Sequence, residues 1–395
     1  MAKAKAFQTD IRRARRRKKL KRFLRRLSII LLVLAAAFAI YYTRSTWIPW
    51  FEDILDRTQT TTVNDGELEA GNFPISTSDS STSNTKLVKF GDEFIIATDT
   101  HINFYKANGV RKNSIQHTFS DYEVKVGDGR VLVYGRGSST LSVMNDKEIL
   151  FDKELDGDIY FAEMSSDNSF AVVTSSEGYS SYLTVYDKNG EVIYKFANNA
   201  RINAVDFKPS GLGCFVSAFE MKNGDMITNI YSLDFDEDEV VFKSDNIENT
   251  TVIKANKLSD GDIIAVCDDR VIRLDKSGKI LGEIEYESDL IDFDASTEVV
   301  SIAIKNSIDS SKSKLLVVRS DNDALEFEFD EEIKSVECDS RNTYVLTDSL
   351  LNLYSMSGTQ IVTAQVSSDY VDFIALDDEV LFLGYREINK IDYSY

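Results

Sequence analysis

The strongest constraint on this chain is a cadence that returns eight times between Lys86 and the last residue. Each unit holds about four short strands of alternating polarity, separated by turn residues. The units begin near Lys86, Tyr122, Ile159, Arg201, Thr251, Leu290, Ile333 and Tyr370. That spacing, roughly 36 to 50 residues, is the period of four-stranded propeller blades. One such unit cannot bury its apolar faces alone, so the units must stack. The reading is all-β: a β-propeller of eight four-stranded blades over residues 70–395.

The turns carry the same message. Lys106–Gly109, Asp187–Gly190, Asp275–Gly278 and Ser355–Gly358 each end on glycine and sit between the third and fourth strand of a unit. Such turns need a positive φ that glycine adopts without strain. Stretches such as Leu141-Ser142-Val143 and Leu183–Tyr186 alternate strictly, as a strand with two distinct faces does. Only 3 prolines interrupt the chain, and no long helical period competes.

The last unit has three strands, which would leave an open edge prone to aggregation. Gly71–Ser76 is the one strand candidate left over, and the prediction is that it forms the outer strand of the last blade. Pro74 is tolerable there because an outer strand has a free side.

Upstream, residues 1–26 hold thirteen Lys/Arg against Asp10 alone. Leu27–Tyr42 follows without a charge, and Tyr41, Tyr42, Trp47, Trp50 and Phe51 supply an aromatic belt beyond it. Residues 27–43 read as one transmembrane helix and 44–69 as a stalk. With 45 basic and 65 acidic residues in the whole chain, everything past the tail is strongly acidic. The positive-inside rule puts the tail in the cytoplasm, against anionic lipid, and the propeller outside a plasma membrane. Ala37-Phe38-Ala39 fits a cleavage site, so a cleaved signal peptide is the alternative. A nucleic-acid-binding arm is set aside, because a basic cluster beside a span holds lipid and sets topology.

Chemistry is sparse. His101 and His117 are the only histidines, with no nucleophile or metal-ligand spacing around them. Cys214, Cys267 and Cys338 are an odd set inside apolar runs and read as buried free thiols. Their lack of a disulfide framework suits a Gram-positive envelope or an anaerobe. Asp234–Glu239, the densest acidic run, lacks the glycine and terminal glutamate of a calcium loop and reads as a solvated turn. No catalytic, cofactor or metal residue is assigned.

Two patterns point to binding. An acid precedes the first strand of most units: Asp121, Asp158, Glu248, Asp289, Glu331 and Asp369. These should ring the channel mouth and attract cations or a basic partner. The connections between second and third strands are long at Ser175–Tyr182, Glu220–Asn229 and Asn306–Lys314, on the same face. There Tyr179, Tyr182, Met221 and Met226 offer apolar contact.

Basic tail, single span, stalk, the Phe73-Pro74-Ile75 entry and Asp-Lys-Asn-Gly turns together resemble a family of membrane-anchored β-propellers of Firmicutes, catalogued as a domain of unknown function. The propeller itself resembles the quinoprotein-like and WD40-like superfamily. The Gly-His and Trp-Asp pairs of WD40 repeats and the docking tryptophans of quinoproteins are absent, so the resemblance implies topology without chemistry. The expected function is a non-enzymatic module that binds or scaffolds an envelope protein or wall polymer. An exported glycan-active hydrolase or lyase, and a transmembrane sensor, are the alternatives.

Overall fold

The computed structural model describes residues 73–77, 84–286, 288–320, 324–376 and 379–392. The predicted tail, membrane helix and stalk lie outside them. The described residues form eight antiparallel sheets, seven of them runs of consecutive strands and the eighth joining the last three strands to the first. Their first strands are Lys86–Phe90, Tyr122–Val126, Ile159–Met164, Arg201–Phe207, Val252–Lys257, Leu290–Ala295, Ile333–Cys338 and Tyr370–Ala375. They lie beside one another around a ring, and Lys86–Phe90 meets Tyr370–Ala375 where it closes. The fold is the eight-bladed propeller that the repeat predicts.

Closure also follows the prediction. Ile75–Ser76 pairs with Glu387–Asp392, Ile75 opposite Ile388 and Ser76 opposite Glu387, as the outermost strand of the eighth blade. Asn–Gly chemistry shapes the fourth blade in a way that departs from the expected long loop. Glu220–Asn229 is no loop: Gly213–Lys222 and Asp225–Asp234 are ten-residue strands joined by Asn223-Gly224. Both turn residues have positive φ, as a two-residue hairpin requires. The outer edge of this blade is split between Phe242–Lys243 and Ile247–Glu248, both paired with Asp225–Asp234.

Among the described residues there is no single core. Eight apolar clusters each fill the junction between two neighbouring blades, as residues on alternate faces of every sheet demand. The eighth cluster joins Leu87, Phe94 and Ile96 of blade one to Ile374, Leu381 and Ile388 of blade eight, with Phe73 and Ile75 packed on it.

The glycine turns serve these junctions as well as the hairpins. Gly278 has a φ of +85°, and a Cβ there would lie 2.6 Å from Cδ2 of Phe242, on the outer strand of the preceding blade. Gly109, at φ +80°, has Phe73 in the same place, at 3.0 Å. Phe151 over Gly190 and Phe327 over Gly358 repeat the arrangement. Phe73 therefore fills the place that an outer-strand aromatic fills in blades two, four and six.

Candidate binding face

In a propeller the connections into each first strand, and those between second and third strands, open on one face. The predicted acids occupy it. Asp121, Asp158, Asp289 and Asp369 are exposed and Glu331 is half-buried, each just before a first strand. Their backbones extend the pairing of first and second strands within each blade: Asp121, Asp158 and Asp289 accept the N–H of Arg136 (3.1 Å), Ser175 (2.9 Å) and Lys305 (2.9 Å). The Glu331 carboxylate accepts from the hydroxyls of Ser349 and Thr347 and the N–H of Ser349, which hold it below the usual glutamate range. Glu248 departs from the ring. It lies in the Ile247–Glu248 strand opposite Ile227, on the outer edge of blade four. Among the described residues no three His, Cys, Asp or Glu side chains converge as metal ligands do.

The predicted apolar residues form two groups. Tyr179 is 48% exposed on the blade-three connection, and Tyr182 is half-buried beside it. Tyr182 lines a cleft of about 630 Å³ between blades two and three, with Lys153, Asp156, Thr174, Glu177 and Lys195. Lys153 Nζ stands 4.6 Å above the Tyr186 ring and donates to the Gly190 carbonyl. Met221 and Met226 face each other across the blade-four hairpin, Met221 at 67% exposure. Alternation puts Met221 on the side of Phe215, which packs toward blade five. The tyrosines and the methionines thus look toward different neighbours. Ile308 of blade six and Tyr385 of blade eight, both exposed tips of this face, were not singled out from the sequence.

The channel wall is not legible in the sequence. A first strand has an unpaired edge, and its N–H and C=O groups need partners. Side chains of neighbouring first strands supply them. Asp206, Asp292, Asp294 and Glu337 accept the N–H of Ala255 (2.8 Å), Val336 (2.8 Å), Cys338 (2.8 Å) and Ala375 (2.6 Å), always in the next blade. Lys89 donates to the Ala375 carbonyl at 2.9 Å, across the closure. Lys86–Glu123 (2.5 Å), Lys125–Glu163 (2.7 Å) and Lys254–Asp206 (3.1 Å) add ion pairs between blades. A register shift near the start of six of these strands, as between Leu290 and Asp292 or Tyr370 and Asp372, re-aims the residues that follow.

The wall is electrically lopsided. Burial opposes ionisation of Glu123, yet Lys86 and Arg136 hold its carboxyl below the usual range. Blades six to eight gather Asp292, Asp294, Glu337 and Asp372, with Lys89 of blade one beside Glu337. There burial pushes Asp292 and Asp372 up. Burial, reinforced by Asp294 and Asp372, pushes Glu337 up to about 8 against its hydrogen bond from Ala375. These carboxyls are engaged in joining blades. His117 is structural too: buried, it donates from Nε2 to the Thr98 carbonyl at 2.9 Å and accepts the Phe119 N–H at Nδ1, and burial lowers its pKa. The thiols are free, with Cys214 and Cys267 buried and Cys338 half-buried. Residues 236–240, which hold most of the acidic run, are an exposed turn.

Known structures share the fold. BamB from Moraxella catarrhalis matches at a TM-score of 0.53 and 13% identity, over 78% of this chain and 96% of that one. Sqt1 from Saccharomyces cerevisiae matches at 0.54 and 9%, over 81% and 98%. The dihydro-heme d1 dehydrogenase NirN matches at 0.54 and 12%, over 79% and 77%. At such identities the likeness is one of architecture, and it spans an enzyme as well as other propellers. No curated protein matches in sequence. A family model described as a family of unknown function, DUF5711, matches residues 73–392, the whole propeller, and the chain belongs to that family.

Proposed function

We propose that this protein is a non-enzymatic binding or scaffolding module. Its N-terminal segment anchors it to a plasma membrane through one helix, with the basic tail on anionic lipid. The propeller stands on the extracytoplasmic side and recognises an envelope protein or wall polymer. The observation that carries the reading is the binding face of the ring. A rigid ring presents exposed apolar tips, Tyr179, Met221, Ile308 and Tyr385, among acidic connections. Isolated apolar tips on a polar rim are how loops on a fixed scaffold make contact. The carboxyls with raised pKa favour the same reading, since each accepts a hydrogen bond from a neighbouring blade. Affinity capture from the native host, after cross-linking in place, tests it. The wild type should enrich one envelope component, and a variant with Tyr179, Met221, Ile308 and Tyr385 changed to serine should lose it. Equal enrichment by both, or release of product from glycan substrates, defeats the proposal.

A further inference from the structure

The blade-four hairpin stands beyond its own blade. Its inner neighbour, Arg201–Phe207, begins opposite Phe219, while Gly213–Lys222 runs on for three more residues. Among the described residues, no strand pairs with Glu220–Lys222 on that inner side. The partner strand continues to Asp225, so the overhang is ordered β-structure. A two-residue turn makes Lys222 and Asp225 a hydrogen-bonded pair, and the antiparallel ladder alternates from there. Met221 and Met226 are then a non-bonded pair, and the Met221 N–H and C=O point to the empty inner side.

Two further features lie at this edge. The facing methionines make a small adaptable apolar patch, with Met221 67% exposed. On the opposite face of the ladder stand Glu220 and Asp225, with Glu248 on the outer edge beyond them, all exposed; Lys222 is the one base on the overhang. An open strand edge accepts another strand through main-chain hydrogen bonds, and alternate side chains then choose the sequence. The charge chooses the sign.

We propose that the inner edge of Glu220–Lys222 is a strand-addition site for an extended, lysine- or arginine-rich segment of a protein partner. Its backbone pairs with Met221, an apolar residue of the segment rests on Met221 beside Met226, and its bases face Glu220, with Asp225 one strand further on. The inference rests on the binding-module reading and narrows it to one surface and one class of ligand.

The test uses the full chain and synthetic ten-residue peptides that alternate Lys with Val, alternate Glu with Val, or alternate Lys with Pro. Binding should be seen for the Lys-Val peptide alone and should weaken at least tenfold between 50 and 500 mM salt. Met221→Pro removes the edge N–H without touching the hairpin's own ladder, and Met221→Ser removes the apolar contact. Each should weaken binding about tenfold while the melting temperature holds, and Glu220→Gln with Asp225→Asn should flatten the salt dependence. Asp236→Asn with Glu237→Gln, on the opposite face, should change nothing. Equal binding by Met221→Pro, equal binding of the Lys-Pro peptide, or no binding at millimolar peptide overturns the inference. If a native partner is still captured and Met221→Pro leaves it bound, this surface is wrong while the binding-module reading stands. Binding of wall oligosaccharides alone, with no peptide bound, also rejects the inference.

Discussion

Replacing Glu337 by glutamine should make the propeller more stable in alkali. The carboxyl sits in the wall among Asp294 and Asp372, accepts the Ala375 N–H at 2.6 Å, and has its pKa pushed up to about 8. A folded value above the unfolded one means that the folded state holds this proton more tightly. The stabilisation is therefore complete below the ordinary glutamate value of 4.5 and is lost as pH rises toward 8. At about 1.36 kcal/mol per pH unit, the loss is on the order of 3–5 kcal/mol by pH 9. Glutamine keeps the acceptor for Ala375 and never ionises. Urea unfolding at pH 5, 7 and 9, followed by circular dichroism, measures the difference. Variant and wild type should agree within about 1 kcal/mol at pH 5 and separate progressively, with the variant more stable at pH 9. Parallel curves across the range, or a variant that loses stability at pH 9, would refute the placement of Glu337 as a protonated inter-blade strut.

Gly278→Ala brings a Cβ to 2.6 Å from Phe242 at a φ of +85°, and should cost about 3 kcal/mol by thermal melting. Gly91→Ala, with a positive φ of 62° but open space around it, should cost only about 1 kcal/mol. Phe73→Ala should destabilise by roughly 2 kcal/mol, because it empties the aromatic place over Gly109 where the ring closes. Glu331→Gln should show the opposite pH trend to Glu337. The Ser349 and Thr347 bonds depress the Glu331 pKa, so its contribution is present above the ordinary glutamate value and disappears as pH falls through the depressed one. At this half-exposed site the effect should be roughly 0.5 kcal/mol, read from melting curves at pH 3 and 7.

Much of this architecture is written locally. Strand alternation and the glycine turns each depend on a few adjacent residues, which is why eight blades and the Ile75–Ser76 closure are legible in the amino-acid sequence. The acidic connections before five of the first strands are found for the same reason, and Glu248 is misplaced because the chain folds back there to form an extra edge strand. Asn223-Gly224 is a strong turn signal, yet the length of the segment around it disguises the blade-four hairpin as a loop.

The wall of the channel cannot be read that way. Asp206, Asp292, Asp294 and Glu337 look from sequence like acids scattered on strands. Their partners are backbone groups 38 to 49 residues away, brought near only when neighbouring blades close into a ring. The aromatic rings over Gly109, Gly190, Gly278 and Gly358 likewise belong to the blade before. Sequence alone determined the repeat, the hairpins and the closing strand, because those are set by backbone preference and polarity over a few residues. The tertiary structure decided which carboxyls join neighbouring blades at the channel wall, where Met221 and Tyr182 look, and which strand edge stays open, because each depends on what the folded ring places opposite it.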